Sequence, residues 1–140
     1  MKEFITYLNF DGNCRQAMEF YAKCLGADLQ VTPYSEGPPE MFKETKDATR
    51  VLHSRLSKGA QVLLMASDGG PGRPLHQGNN FAISINCESR EEVDRVFSSI
   101  SEGGTVRMQP QDMFWGAYFG MTTDQFGINW MLNYEAPKQS

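Results

Sequence analysis

Histidine is almost absent from this chain: there are two, His53 and His76, in 140 residues. The three cysteines, Cys14, Cys24 and Cys87, form no C-x-x-C pair and no cluster with metal-ligand spacing, so a zinc ribbon or a dithiol centre is excluded. Their odd number and wide separation favour free thiols that pack as small apolar side chains. Positive charge is also short. Thirteen Lys and Arg against seventeen Asp and Glu leave a net charge of -4, and no basic cluster is present to neutralise phosphates. Neither nucleic acid nor an anionic membrane surface is therefore an expected partner. No apolar run is long enough to span a bilayer, and the opening "MKEFITYLNF" lacks the layout of a signal peptide, so a cytoplasmic location is expected. A G-x-S-x-G elbow, an H-E-x-x-H pair and a phosphate loop are all missing.

What is present is strand and helix periodicity, given twice. "EFITYLNF" alternates, with Phe4, Leu8 and Phe10 on one side and Ile5, Tyr7 and Asn9 on the other. Asn13, with Gln16 three positions on, predicts a capped helix whose stripe is Ala17, Phe20, Tyr21, Cys24 and Leu25, and Gly26 stops it. "ADLQVTPY", "RVLHSRLS" and "AQVLLMAS" read as strands, the last two joined by a "KG" turn. Between the first two lies the Pro-, Gly- and charge-rich loop Ser35–Thr49.

"NFAISINC" then starts the same order again, with Phe81, Ile83 and Ile85 opposite Ala82, Ser84 and Asn86. Ser89 and Glu92 form a capping box ahead of the stripe Val93, Val96, Phe97 and Ile100, and Gly103–Gly104 end the helix. "TVRMQP" and two strands within "FWGAYFGMTTDQFGINWML" complete the set. Each half is therefore a βαβββ unit, the first over residues 1–68, the second over 80–135, with a linker at 69–79. An α+β architecture follows, in which two such modules form one curved eight-stranded sheet around a cavity with helices on the convex face.

The phrases "FDGNCRQAMEFYAKCLGA", "LHSRLSKGAQVLLMASD" and "MFWGAYFGMTTDQFGINWMLN" resemble the PhnB-like branch of the glyoxalase/bleomycin-resistance/dioxygenase, or vicinal oxygen chelate, superfamily. The resemblance covers nearly the whole chain and implies paired modules around a cavity and a homodimer. Metal-dependent members take ligands, usually His and Glu, from the first and fourth strands of each module. Carried over, those positions fall on Ile5, Met65, Asn80 and Met131. A slip of one residue gives Thr6, Leu64, Ala66, Phe81, Trp130 or Leu132, which serve no better. Aliphatic and thioether side chains with one amide do not hold a hard or borderline divalent cation. No metal and no cofactor are expected on that ground. A rearranged site joining His53 to Glu36, Glu40 or Glu44 is the metal-bearing alternative. Some relatives carry a methyltransferase label. The one Gly-rich run, "SDGGPGRP", leads to a strand instead of a helix N-terminus, which speaks against a nucleotide-type cofactor.

The face opposite the helices is expected to carry Tyr7, Asn9, Asn80, Ser84, Asn86, Asn129, Met131 and Asn133, with Met65 where a metal ligand would stand. His53 and Arg55 share a strand face. His53 reads equally as a hydrogen-bonded strand residue or as a pocket acid/base, and Arg55 as a solvated charge or as the contact for a carboxylate or phosphonate. Trp115 and Phe119 are expected on the cavity side, and Trp130 in the core. Cys14 opens a helix, where a lowered thiol pKa would make it reactive. Metal-independent binding of a small organic molecule in the cavity is the leading expectation. An enzyme with rearranged metal ligands, and a dimeric interaction module whose cavity is filled by its own Ser35–Thr49 loop, are the others.

Overall fold

The computed structural model describes residues 1–39, 49–70 and 74–137. The chain divides into two compact units, Met1–His76 and Gln77–Ser140. The first holds β1 (Tyr7–Phe10), α1 (Cys14–Leu25), β2 (Asp28–Pro33), β3 (Val51–Lys58) and β4 (Gln61–Asp68), with a short 3-10 turn at Tyr34–Glu36. The second holds β5 (Ile83–Asn86), α2 (Arg90–Ser101), β6 (Thr105–Asp112), β7 (Ala117–Thr123) and β8 (Asn129–Glu135). Hydrogen bonds group the strands as two four-stranded sheets, β1-β4-β3-β2 and β5-β8-β7-β6. In each, the first strand pairs in parallel with the last and the others are antiparallel. The order is α+β, the same βαβββ grammar twice. Among the described residues no helix is long and apolar enough to cross a membrane.

Pleat alternation decides what each helix covers. In the first unit α1 packs on β2, β3 and β4. Buried Cys14, Ala17, Met18, Tyr21 and Cys24 meet the buried Leu8, Phe10, Leu56, Leu64 and Ala66. Phe20 and Leu25, placed on the stripe by spacing alone, are only half-buried, and Met18 takes the central position. In the second unit α2 covers β6, β7 and β8 with Val93, Val96, Phe97 and Ile100, over Trp130 and Leu132. Gly120 lies directly beneath: a Cβ there would come within 3.0 Å of both the Phe97 ring and Pro110. Arg90 anchors the outer surface, paired with Asp112 and stacked 3.9 Å over the Tyr118 ring, while the Tyr118 hydroxyl donates to Asp94 at 2.6 Å.

Two expected core residues are not core. Phe4 is 88% exposed because β1 starts only at Tyr7, and Phe81 is 56% exposed because β5 starts only at Ile83. Both lie ahead of the ladder, so the pleat does not aim them at a helix.

The helix caps also differ from the expected pair. Ser89 accepts from the Glu92 N–H at 3.0 Å, and the Glu92 carboxylate reaches back to the Glu88 N–H at 3.1 Å. Asn13, however, makes no capping bond. Its place is taken by a carboxylate from the far end of the sheet: Asp68 Oδ1 accepts from the Gly12 and Cys14 N–H groups at 2.7 and 3.0 Å, and Oδ2 from Val51 N–H at 2.9 Å. The second unit has a counterpart in Asp124. Its Oδ1 accepts from the Phe126 and Ile128 N–H groups at 2.8 and 3.1 Å, and its Oδ2 from the Trp130 indole N–H at 2.8 Å. Both aspartates are buried.

All three cysteines are buried and free. Burial pushes the Cys14 thiol from 9.0 up to about 12, opposed in part by a contact with the Ser54 hydroxyl at 3.6 Å. Burial raises Cys87 to about 11. The expected activation of Cys14 by the helix N-terminus is thus overturned: desolvation of the thiolate outweighs the helix end.

Asp68→Ala and Asp124→Ala each strand three donors, and each should cost about 3–5 kcal/mol by urea unfolding, with Asn at either position costing less because one acceptor remains. The Cys14 thiol favours folding while it stays protonated. Since its folded pKa lies above the ordinary 9.0, stability should hold below pH 9 and fall as pH rises toward about 12. Denaturation across that range should show a shallower decline in Cys14→Ala, whatever its starting stability.

Candidate functional site

Each sheet leaves one face free of its own helix. In the first unit that face carries Tyr7 and Asn9 from β1, Met65 from β4, and His53 and Arg55 from β3. The register proves the shared side: Tyr7 stands opposite Met65, and Met65 opposite Arg55. Thr32 and Gln30 of β2 continue it, opposite His53 and Arg55. The Tyr7 hydroxyl lies 3.5 Å from His53 Nδ1, with ring centroids 6.0 Å apart. That separation is at the outer limit of a hydrogen bond, so both groups keep capacity for another partner. Arg55 is exposed and forms no ion pair or hydrogen bond among the described residues. Of the carboxylates proposed to join His53 around a metal, Glu40 and Glu44 lie outside the described residues.

In the second unit the corresponding face holds Ser84 and Asn86 from β5, Asn129, Met131 and Asn133 from β8, and Phe119, Met121 and Thr123 from β7. Met131 stands opposite Ser84 on one side and Met121 on the other, and Asn133 opposite Phe119. Thr123 donates to Asn129 Oδ1 at 2.6 Å and itself accepts from Arg107 Nε at 3.0 Å. A pocket of about 280 Å³ opens here, lined by Phe81, Arg107, Met121, Met131 and the amides of Asn79 and Asn129, among others.

Two expected positions change. Asn80 precedes β5 and is exposed, so it is not held on the sheet face; its neighbour Asn79 lines the pocket. Trp115 is not on a strand. It sits in the hairpin turn between β6 and β7, half exposed beside the fully exposed Phe114, because the Met113 carbonyl accepts from the Gly116 N–H and Gly116 takes φ +93°. Its ring still meets Phe119 edge-on at 6.2 Å. Periodicity could not find Met121 and Arg107. The pairing partner of Met121 was not known, and Arg107 reaches this face only through an irregularity in β6.

The donor set can be tested against a divalent cation directly. Met65 and Met131 occupy mid-strand positions on these faces, Ile5 offers only hydrocarbon, and Asn80 lies off the sheet. Among the described residues no three His, Cys, Asp or Glu side chains converge. The residues carried over from metal-bearing relatives do not fit such an ion.

Fold and sequence have close counterparts elsewhere. The chain is 38% identical to protein PA1353 from Pseudomonas aeruginosa, whose crystal structure superposes with a TM-score of 0.85 over 96% of this chain and 98% of that one. It is 30% identical over 139 residues to Protein YjdN from Escherichia coli K12, covering 91% of each. A PhnB protein from Bacillus cereus, whose name proposes a 3-demethylubiquinone-9 3-methyltransferase, shares the fold at 23% identity, with a TM-score of 0.76 over 95% and 99% of the two chains. The doubled βαβββ order agrees with a family profile that matches residues 5–132, and the chain belongs to the Glyoxalase/Bleomycin resistance protein/Dioxygenase superfamily.

Proposed function

We infer that this is a PhnB-like member of the superfamily that binds a small organic molecule on the open faces of its sheets without a metal ion, and that it acts as a homodimer in the cytoplasm. The observation that carries the reading is the pair Met65 and Met131. Each stands on a strand ladder where metal-bearing relatives present a ligand, and each is flanked by side chains suited to organic matter: Tyr7 and Arg55 around the first, Ser84 and Met121 around the second. A thioether is a poor ligand for hard cations and a good, adaptable contact for apolar and aromatic surface. The amides and hydroxyl nearby supply the few polar contacts that orient a ligand in a mostly apolar site.

A methyltransferase role finds no support in the described residues. No helix begins between Asp68 and Ile83, so the turn after β4 offers no helix N-terminus to a charged cofactor, though residues 71–73 lie outside the described part. Self-association is favoured by large apolar side chains left open in each unit, Phe4 in the first and Phe114 in the second.

Protein purified without chelator should carry no stoichiometric Zn²⁺, Ni²⁺, Mn²⁺ or Fe²⁺ by elemental analysis. Adding these ions should not raise Tm, whereas some organic compounds in a broad panel should. One metal per chain with a matching rise in Tm would establish the rearranged-ligand enzyme instead. Light scattering on the eluting protein should give twice the 15.8 kDa chain mass. A monomer at every concentration would remove the dimer.

A further inference from the structure

Strand β6 carries one residue more than β7 between Val106 and Met108: Val106 stands opposite Thr122, and Met108 opposite the next residue along, Met121. Arg107 is the extra residue. A bulge of this kind frees the inserted residue from the ladder and re-aims its side chain. Arg107 consequently reaches the face that α2 does not cover. There its Nε–H donates to Thr123 Oγ1 at 3.0 Å, and that hydroxyl donates to Asn129 Oδ1 at 2.6 Å. This relay uses one edge of the guanidinium and fixes its plane. The terminal nitrogens have no hydrogen-bond or ion-pair partner among the described residues.

The pocket of about 280 Å³ beside this cation has an apolar wall, Phe81, Met121 and Met131, and two amides, Asn79 and Asn129. Phe81 is an aromatic ring left open to water, a costly arrangement unless something covers it. Two thioethers on the same wall adapt to flat surfaces and make favourable contacts with ring edges. The net charge of -4 gives no long-range pull on anions, so selection for one has to come from direct contact.

Resting on the reading of the chain as a small-molecule binder, we propose that this pocket takes an aromatic carboxylate. The ring lies against Phe81, Met121 and Met131, and the carboxylate bridges the two terminal nitrogens of Arg107. The free end of the guanidinium matches a carboxylate's two oxygens as a pair of parallel N–H···O bonds, a geometry lysine cannot supply. A neutral aromatic would fill the wall and leave the fork unused. An aliphatic acid would use the fork and leave the ring uncovered.

Calorimetric titration with naphthoate and with its uncharged counterpart naphthalenemethanol tests this, on wild type and on Arg107→Gln, Arg107→Lys and Met121→Ala. Arg107→Gln should weaken naphthoate by about 10- to 100-fold, the usual worth of a charge-assisted pair, and leave naphthalenemethanol within about twofold. Arg107→Lys, which keeps the charge and loses the fork, should fall between, and it serves as the reading should the Gln variant lose its fold. Met121→Ala should weaken both compounds alike. Equal losses of acid and alcohol in the Arg107 variants, or no loss at all, would overturn the proposal. So would failure of naphthoate to bind while another compound class stabilises the protein, an outcome that leaves small-molecule binding intact. Failure of every class would overturn both.

Discussion

Two buried carboxylates hold the units together, and most of the remaining geometry depends on them. A β-sheet whose first strand pairs in parallel with its last has to bring the loop after β1 back to the end of β4. In the first unit Asp68 makes that return specific. It ends β4, stands opposite Phe10 at the end of β1, and takes the first N–H groups of α1 together with the N–H that opens β3. Taking a carboxylate out of water is expensive unless its oxygens are filled, and here three backbone donors fill them. Tyr34 and Arg50 close the surroundings, donating to the Asp68 and Gly69 carbonyls at 3.2 and 2.6 Å. Asp124 serves the second unit differently. It shapes the turn into β8 and grips the Trp130 indole, so that a polar edge on the largest core residue is satisfied without water.

These anchors set register, and register sets the two faces. Once Phe10 and Trp130 are fixed toward the helices, period-2 alternation sends Asn9 and Met131 the other way with no further choice. The open faces are thus a by-product of core packing, and their composition is where function can be written. Their central positions carry methionine, while amides, hydroxyls, His53 and Arg55 surround them. The same scaffold with carboxylates and imidazoles at those positions would be a metal site. With thioethers it is a soft, dry surface.

Much of this was legible in the residues. The repeated strand–helix–strand order, Gly26 in the left-handed conformation, the Ser89–Glu92 cap and the burial of Trp130 all followed from local patterns that local physics enforces. The failures share a cause, which is that the deciding partner is remote in sequence. Asn13 and Gln16 look like a capping box, yet Asp68 supplies the cap from the far end of the sheet. Phe4 and Phe81 fit the alternation but lie outside the ladder that gives alternation its meaning. Trp115 and Phe119 have the spacing of strand neighbours, and the Gly116 turn separates them. Cys14 has the position of an activated thiol, but the packing that buries it is tertiary.

Arg107 makes the same point from the functional side. In "TVRMQP" it alternates as an unremarkable strand residue, and an unbroken ladder would send Met108 to the helix side. One inserted residue places Arg107 and Met108 on the same face, and the helix-side position next to Val106 is given up. The ladder loses regularity in β6, an edge strand where that costs least, since no further strand has to keep step with it. The edge also tolerates Pro110 two residues beyond Met108, where a second shift in register follows. Regular pairing is kept in β7 and β8, which carry Trp130 and Leu132. It is relaxed on the outer strand, which carries the cation. Such a division lets a face change its chemistry without disturbing the core that fixes its shape.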